Sequence, residues 1–179
     1  KNYDRLIEIY EALAAHGYRE VGQEDLQNVL DTAKQLDAYD SGRIYYYLGE
    51  YQKAYLALDE ARDKGGTDSY LYLGRAYAAT GDYNYASSVY NNYLSKQGPN
   101  AEIYNELGLC EMAKKEYQNA LAAFQTGKQI EGNSLMQTLC FNEIVAYEYL
   151  EDYQQAEVLM NAYLQNYPDD QTAIREQQF

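Results

Sequence analysis

Glu50-Tyr51-Gln52-Lys53-Ala54 is the first of four copies of one phrase: an acid, a tyrosine, a side-chain amide, any residue, then alanine. It returns as Asp82-Tyr83-Asn84-Tyr85-Ala86, Glu116-Tyr117-Gln118-Asn119-Ala120 and Asp152-Tyr153-Gln154-Gln155-Ala156, with steps of 32, 34 and 36 residues between the tyrosines. Self-similarity at a period of about 20 to 50 residues marks a stacked repeat, whose units bury their apolar faces on one another. The acid of each phrase suits the start of a helix. An aspartate there can cap free backbone amides, and either acid is favoured by the positive end of the helix dipole. The alanine is expected to pack against the glycine of the preceding helix.

Outward from the phrases, the apolar spacing is helical. Residues 3–15 place Leu6, Ile7, Tyr10, Leu13 and Ala14 on one face, and His16-Gly17 ends that helix. Residues 24–36 repeat the pattern with Leu26, Val29, Leu30, Ala33 and Leu36, which predicts a second, antiparallel helix. The connection between these two is longer than in later units, so residues 1–34 read as a divergent first pair or cap. Gly66, Gly98, Gly132 and Pro168 punctuate the ends of the later second helices. After Pro168, Asp169-Asp170 start a short helix through about Gln177 that covers the end of the stack.

Two units carry a fuller pattern. Residues 67–100 hold Tyr70, Leu73-Gly74, Tyr77, Ala86, Tyr90 and Gly98-Pro99; residues 101–136 hold Tyr104, Leu107-Gly108, Ala120, Phe124 and Gly132-Asn133. This resembles the tetratricopeptide repeat, W-x2-L-G-x2-Y followed by A-x3-F and P. The flanking units match less fully. Residues 35–66 keep Gly42, Tyr45, Ala54 and Leu58 with Ser41 in place of leucine, and residues 137–170 keep Tyr147, Ala156 and Pro168 with Glu143-Ile144 in place of Leu-Gly. The resemblance implies an all-α fold, a right-handed superhelical solenoid of antiparallel helix pairs. It is expected to form one domain over 1–179, built of the first pair, the repeats 35–66, 67–100, 101–136 and 137–170, and a partial capping helix at 171–179. Because the family's glycine allows close helix approach, Ile144 is expected to widen or tilt the last pair. Tyr93 and Tyr163 replace a small residue late in the second helix and bear on the superhelical pitch.

Charge and composition narrow the function. The chain has 28 acids against 14 bases, a net charge of −14 that repels phosphate backbones and anionic lipid surfaces, so nucleic-acid binding is disfavoured. No run of 18 apolar residues is present, so no membrane insertion is expected. The first residue is Lys1, which is consistent with removal of a signal peptide, a lipid anchor or another domain upstream, or with a mere boundary of the sequence. An extracytoplasmic bacterial protein is the localisation expected, with a cytoplasmic scaffold as the alternative. Tyrosine is the dominant aromatic, 23 copies beside three phenylalanines and no tryptophan. Tyrosine fills helix interfaces while its hydroxyl stays at a wet margin, which suits a thin stack; an exposed tyrosine binding surface is the other reading.

No catalytic, cofactor-binding or metal-binding set emerges, so the chain is read as a non-enzyme. His16 is the sole histidine and lies beside a helix-ending glycine; there is no phosphate loop and no dinucleotide fingerprint. Cys110 lies on an apolar helix face and Cys140 takes the place of the family's large aromatic; both read as small buried hydrophobes rather than a disulfide.

In the resembled family the first helix of each unit lines the concave face, and its fifth, ninth and twelfth positions touch an extended peptide. Carried over, these are Tyr39, Arg43 and Tyr46; Leu71, Arg75 and Ala78; Asn105, Leu109 and Met112; and Phe141, Val145 and Glu148. Arg43 and Arg75 share one repeat position, where they either grip a carboxylate or phosphate or pair with neighbouring acids. The carboxylate clamp that some members use for chaperone tails is not matched here, and recognition of that class is not expected. The function expected is a protein–protein interaction module or scaffold that takes a partner peptide or helix in its groove. The alternatives are glycan or small-ligand capture by exposed tyrosines at a cell surface, and a spacer or oligomerisation arm of a longer regulator.

Overall fold

The computed structural model describes residues 2–33 and 36–177, and every regular element in them is a helix. In chain order these are α1 (Asn2–Ala15), α2 (Gln23–Thr32), α3 (Ala38–Tyr47), α4 (Tyr51–Asp63), α5 (Ser69–Ala79), α6 (Tyr83–Gln97), α7 (Ala101–Ala113), α8 (Tyr117–Lys128), α9 (Met136–Tyr149), α10 (Tyr153–Asn166) and α11 (Gln171–Glu176). The expected repeat boundary at Gln35, the start at Lys1 and the tail at Phe179 lie outside the described residues. The fold is all-α, with consecutive helices packed as antiparallel pairs.

One expected helix is shorter than its apolar spacing suggests. α2 stops at Thr32, Ala33 is extended, and Leu36 lies outside the helix yet packs against the core. An extended link can return an apolar side chain to the same core, so periodicity alone places the end of α2 too late.

The chain divides into two compact units, Lys1–Val89 and Tyr90–Phe179. In the first, α3 packs on α4 and α4 on α5, while α1 and α2 lie against α3. The core under α1, α2 and α3 is Ile7, Tyr10, Leu26 and Ile44, with Val29, Leu30 and Leu36 packed around it. In the second unit α7 packs on α8, α8 on α9 and α9 on α10. One cluster there joins Ala120, Leu121, Phe124, Leu139 and Ala146; another joins Ile144, Ala156, Met160, Tyr163 and Ala173, the last from α11.

The repeated phrase is the turn between the two helices of a pair, and its backbone geometry is the same in all four copies. The residue just before it has positive φ: Gly49 at +78°, Gly81 at +84°, Lys115 at +66° and Glu151 at +60°. This left-handed residue lets the backbone N–H of the following acid turn back onto the helix just ended. Glu50 N donates to Tyr45 O at 2.9 Å, Asp82 N to Tyr77 O at 3.1 Å, Glu116 N to Glu111 O at 2.9 Å and Asp152 N to Tyr147 O at 3.0 Å. The same acid then opens the next helix, but only aspartate reaches its amides. Asp82 Oδ1 accepts from Tyr85 N at 3.1 Å and Asp152 Oδ1 from Gln155 N at 3.2 Å. Glu50 and Glu116 make no side-chain cap, since the extra methylene overshoots the N–H groups.

The four alanines of the phrase, Ala54, Ala86, Ala120 and Ala156, are all buried. The glycine of the first helix, however, has a different nearest neighbour from the one expected. A Cβ built on Gly42 would lie 2.5 Å from Leu58 Cγ, and one on Gly108 would lie 2.3 Å from Phe124 Cε1. Glycine therefore makes room for the large side chain one turn beyond the phrase's alanine. In the last pair both positions are large: Ile144 stands at the glycine position and Met160 at the aromatic one, and both are buried in one cluster. Methionine's unbranched, flexible side chain suits such an irregular fit.

Gly108→Ala should lower stability by about 1–3 kcal/mol through overpacking on Phe124. Adding Phe124→Met should recover part of that loss, seen in urea denaturation as a favourable double-mutant coupling of about 1 kcal/mol. Strictly additive losses would show that the two side chains do not share the space. At the turn, Gly81→Ala should lower stability by about 1 kcal/mol because alanine resists positive φ, while Lys115→Gly should cause no loss. Thermal unfolding of the two variants checks the difference in sign.

Candidate partner-binding face

The residues carried over from the family's groove fall on the first helices of the pairs, and the two units differ in what they present. In the first unit α3 and α5 bring Tyr39, Arg43, Tyr46 and Arg75 together around Tyr72. The Arg43 guanidinium lies 5.1 Å from the centroids of both the Tyr39 and Tyr72 rings, and its Nη2 donates to Glu11 Oε1 of α1 at 3.1 Å. Arg43 is only 8% exposed. Of the two roles open to it from sequence, the structure therefore shows the internal pair: the cation is held between rings and a carboxylate inside the unit. Its Nε is buried without a hydrogen-bond partner, a cost offset by the stacking on either side.

Around that cation the rings meet edge to face. Tyr39 and Tyr72 are 6.1 Å apart, Tyr46 and Tyr72 6.0 Å, and Tyr46 and Tyr47 5.2 Å. Arg75 also lies over Tyr72, at 5.5 Å, and is half-buried, as are Leu71 and Ala78. Burial pushes the Tyr39 hydroxyl up to about 12, against the opposing pull of Arg43. Burial also raises Tyr47, reinforced by the nearby charge of Glu11. These tyrosines are neutral packing groups at physiological pH. Glu11 and Tyr72 are not among the residues that the sequence selects. Glu11 sits on the divergent first pair, 32 residues before its partner, and Tyr72 is one position away from the face-lining register.

In the second unit, Asn105 of α7 is buried and accepts a hydrogen bond from Asn142 Nδ2 of α9 at 2.8 Å. It ties the two helices together. Leu109, one turn further along, is 43% exposed. Met112 packs against the Phe124 and Leu139 cluster. On α9, Val145 and Phe141 are half-buried, and the Phe141 ring lies 5.8 Å from that of Tyr163. Glu148 is half-buried too; burial and then the charge of Glu176 hold its carboxyl above the usual range. Leu109, Phe141, Val145 and Glu148 thus remain at least partly open to solvent.

The departure from Leu-Gly at Glu143-Ile144 has a second consequence. Glu143 is buried and accepts from Lys128 Nζ at 2.5 Å and from Gln125 Nε2 at 2.9 Å; Gln125 also reaches Tyr147 Oη at 3.3 Å. Burial works against the charge on Lys128, yet this carboxylate holds its pKa above the ordinary value. Beside the pair opens a cleft of about 300 Å³ lined by Met136, Cys140, Leu159, Tyr163 and Tyr167 among others. Cys140 is half-buried at this cleft rather than a fully buried hydrophobe, because the smaller side chain leaves unfilled the volume an aromatic would take. Cys110 is buried, and burial pushes its thiol up to about 12. Both cysteines are free.

Four tyrosines are exposed: Tyr18, Tyr85, Tyr149 and Tyr153. Tyr149 stacks on Tyr117 at 5.0 Å, and Tyr85 meets Tyr77 at 4.2 Å. His16 is exposed with Nδ1 2.8 Å from Ala12 O. Among the described residues no group of three or more His, Cys, Asp or Glu is arranged to hold a metal ion, and no helix is long and apolar enough to cross a membrane.

With this geometry in view, a tetratricopeptide repeat model matches residues 39–91 and 73–132, and the chain belongs to that family. Its fold is shared with TTC0263, a thermophilic TPR protein of Thermus thermophilus (16% identity, 98% of this chain and 96% of that one covered, TM-score 0.75). It is also shared with a tetratricopeptide repeat protein from Parabacteroides merdae (18%, 98% and 70%, TM-score 0.70). A third is YrrB, described as a TPR protein with an unusual peptide-binding site (17%, 97% and 90%, TM-score 0.68). No curated protein sequence matches the chain. Tetratricopeptide repeats serve generally as protein–protein interaction scaffolds.

Arg43→Glu should lower stability by about 3 kcal/mol or more, since it sets a carboxylate beside Glu11 in a buried position. Arg75→Glu, at a half-buried position, should lower it by less than half as much. Urea denaturation followed by circular dichroism measures both. Wild-type stability for Arg43→Glu would mean that the cation is not a structural anchor.

Proposed function

We propose that this chain is a non-catalytic interaction module that holds a segment of a protein partner along the first helices of its pairs. The observation that carries the reading is the apolar strip left open on α7 and α9: Leu109 exposed, Phe141 and Val145 half-buried, all at family contact positions. The helices are already ordered by their own cores, so binding orders mainly the partner, and that preorganisation favours affinity. The YrrB description adds a relative of like fold with a peptide site. The arginine pair is a weaker anchor for an anionic ligand than the sequence suggests, because Arg43 is engaged internally.

Leu109→Gln combined with Val145→Gln tests the face. Partner recovery from a pull-down should fall about tenfold with helicity unchanged, as expected for the loss of apolar anchors. Recovery equal to wild type, with the variant folded, would remove this face from consideration.

A further inference from the structure

The first helices of the second unit have a charge of their own. Among the described residues, α7, α9 and α11 carry Glu102, Glu106, Glu111, Glu143, Glu148 and Glu176 against the single base Arg175. In the first unit, by contrast, α3 and α5 carry Arg43 and Arg75 against Asp40. Two of the second unit's acids are neutralised from outside these helices: Glu111 pairs with Lys114 at 2.7 Å and Glu143 with Lys128 at 2.5 Å. Arg175 donates its Nε to Gln171 O of its own helix at 3.0 Å and is exposed. Glu148 of α9, half-buried, and Glu176 of α11, exposed, are the carboxylates at the α11 end of this face.

Its apolar and acidic parts are adjacent. Leu109 stands open on α7, Val145 and Phe141 are half-buried on α9, and the Asn142–Asn105 hydrogen bond fixes the two helices against each other. α11 docks on the same unit through Ala173, which is buried with Ile144. Glu148, near the end of α9, feels the charge of Glu176 on α11. A carboxylate half-buried near a second, exposed one carries a cost that a cation between them removes.

We propose that the face of α7, α9 and α11 takes a lysine- and arginine-rich amphipathic segment of another protein, with its apolar side on Leu109, Phe141 and Val145 and its cations at Glu148 and Glu176. This rests on the reading of the first helices as the partner-binding face. It reverses the sign of ligand that Arg43 and Arg75 suggest from sequence. An acidic segment would meet repulsion here, and a neutral one would leave the two carboxylates uncompensated.

The test uses the full chain and fluorescein-labelled synthetic peptides, read by anisotropy at physiological salt. A Leu/Lys amphipathic peptide should bind about tenfold more tightly than its Leu/Glu counterpart. Glu148→Gln with Glu176→Gln should weaken the Leu/Lys peptide about tenfold, whereas Glu131→Gln with Glu157→Gln, equal in charge but away from this face, should leave it within about twofold. Equal losses from both pairs would overturn the proposal, because bulk charge would then explain the binding. A Leu/Glu peptide bound as tightly, in a manner that Leu109→Gln and Val145→Gln abolish, would overturn the basic partner while the face itself stands. If those two substitutions change the binding of neither peptide, the face falls and the proposal with it.

Discussion

The close approach of α3 to α4 and of α7 to α8 depends on one small position facing one large one. Gly42 admits Leu58 and Gly108 admits Phe124, so that the large side chain lies where a Cβ would otherwise be. Packing at this density leaves little slack, and a change on one side requires a change on the other. In the last pair Ile144 and Met160 hold these two positions and are buried in one cluster, so glycine is not required at every pair. The left-handed turn residue places the helices so that these sides meet, and it does so even where lysine or glutamate must adopt positive φ. Repetition of this arrangement, more than any single contact, is why an acidic, tyrosine-rich chain can hold a continuous series of helices.

The same economy governs the tyrosines. Most of the rings that contact others do so between helices, edge to face, tilted or stacked. Arg43 belongs to this system: two rings and Glu11 take up its charge. A cation packed in this way stabilises its own unit and is poorly placed to meet a ligand. The second unit commits no comparable cation to its first helices, and apolar and acidic side chains remain open there.

How much of this is legible in the residues follows from the range of each interaction. The turns are plain in the phrase itself, because a positive-φ residue, a carbonyl five residues back and an amide three residues ahead are all local. Gly49 and Gly81 announce the left-handed position; Lys115 and Glu151 conceal it, and only the near-constant step between phrases connects them. The end of α2 is misplaced by periodicity because Leu36 fits the helical period while reaching the core from outside the helix, which stops at Thr32. Cys140 reads as filler in the sequence, and the cleft beside it depends on Lys128, Leu159 and Tyr163 from other helices.

The order of helices, their turns and the family are present in the sequence, because each is set by residues within one repeat period. What Arg43 pairs with, how Ile144 is accommodated and which acids face an apolar strip are settled by the packed helices. Arg43 and Glu11 are 32 residues apart and Ile144 and Met160 16, the acids and the apolar strip come from three helices of one unit, and no local pattern records which of several acids, rings or methylenes will arrive there.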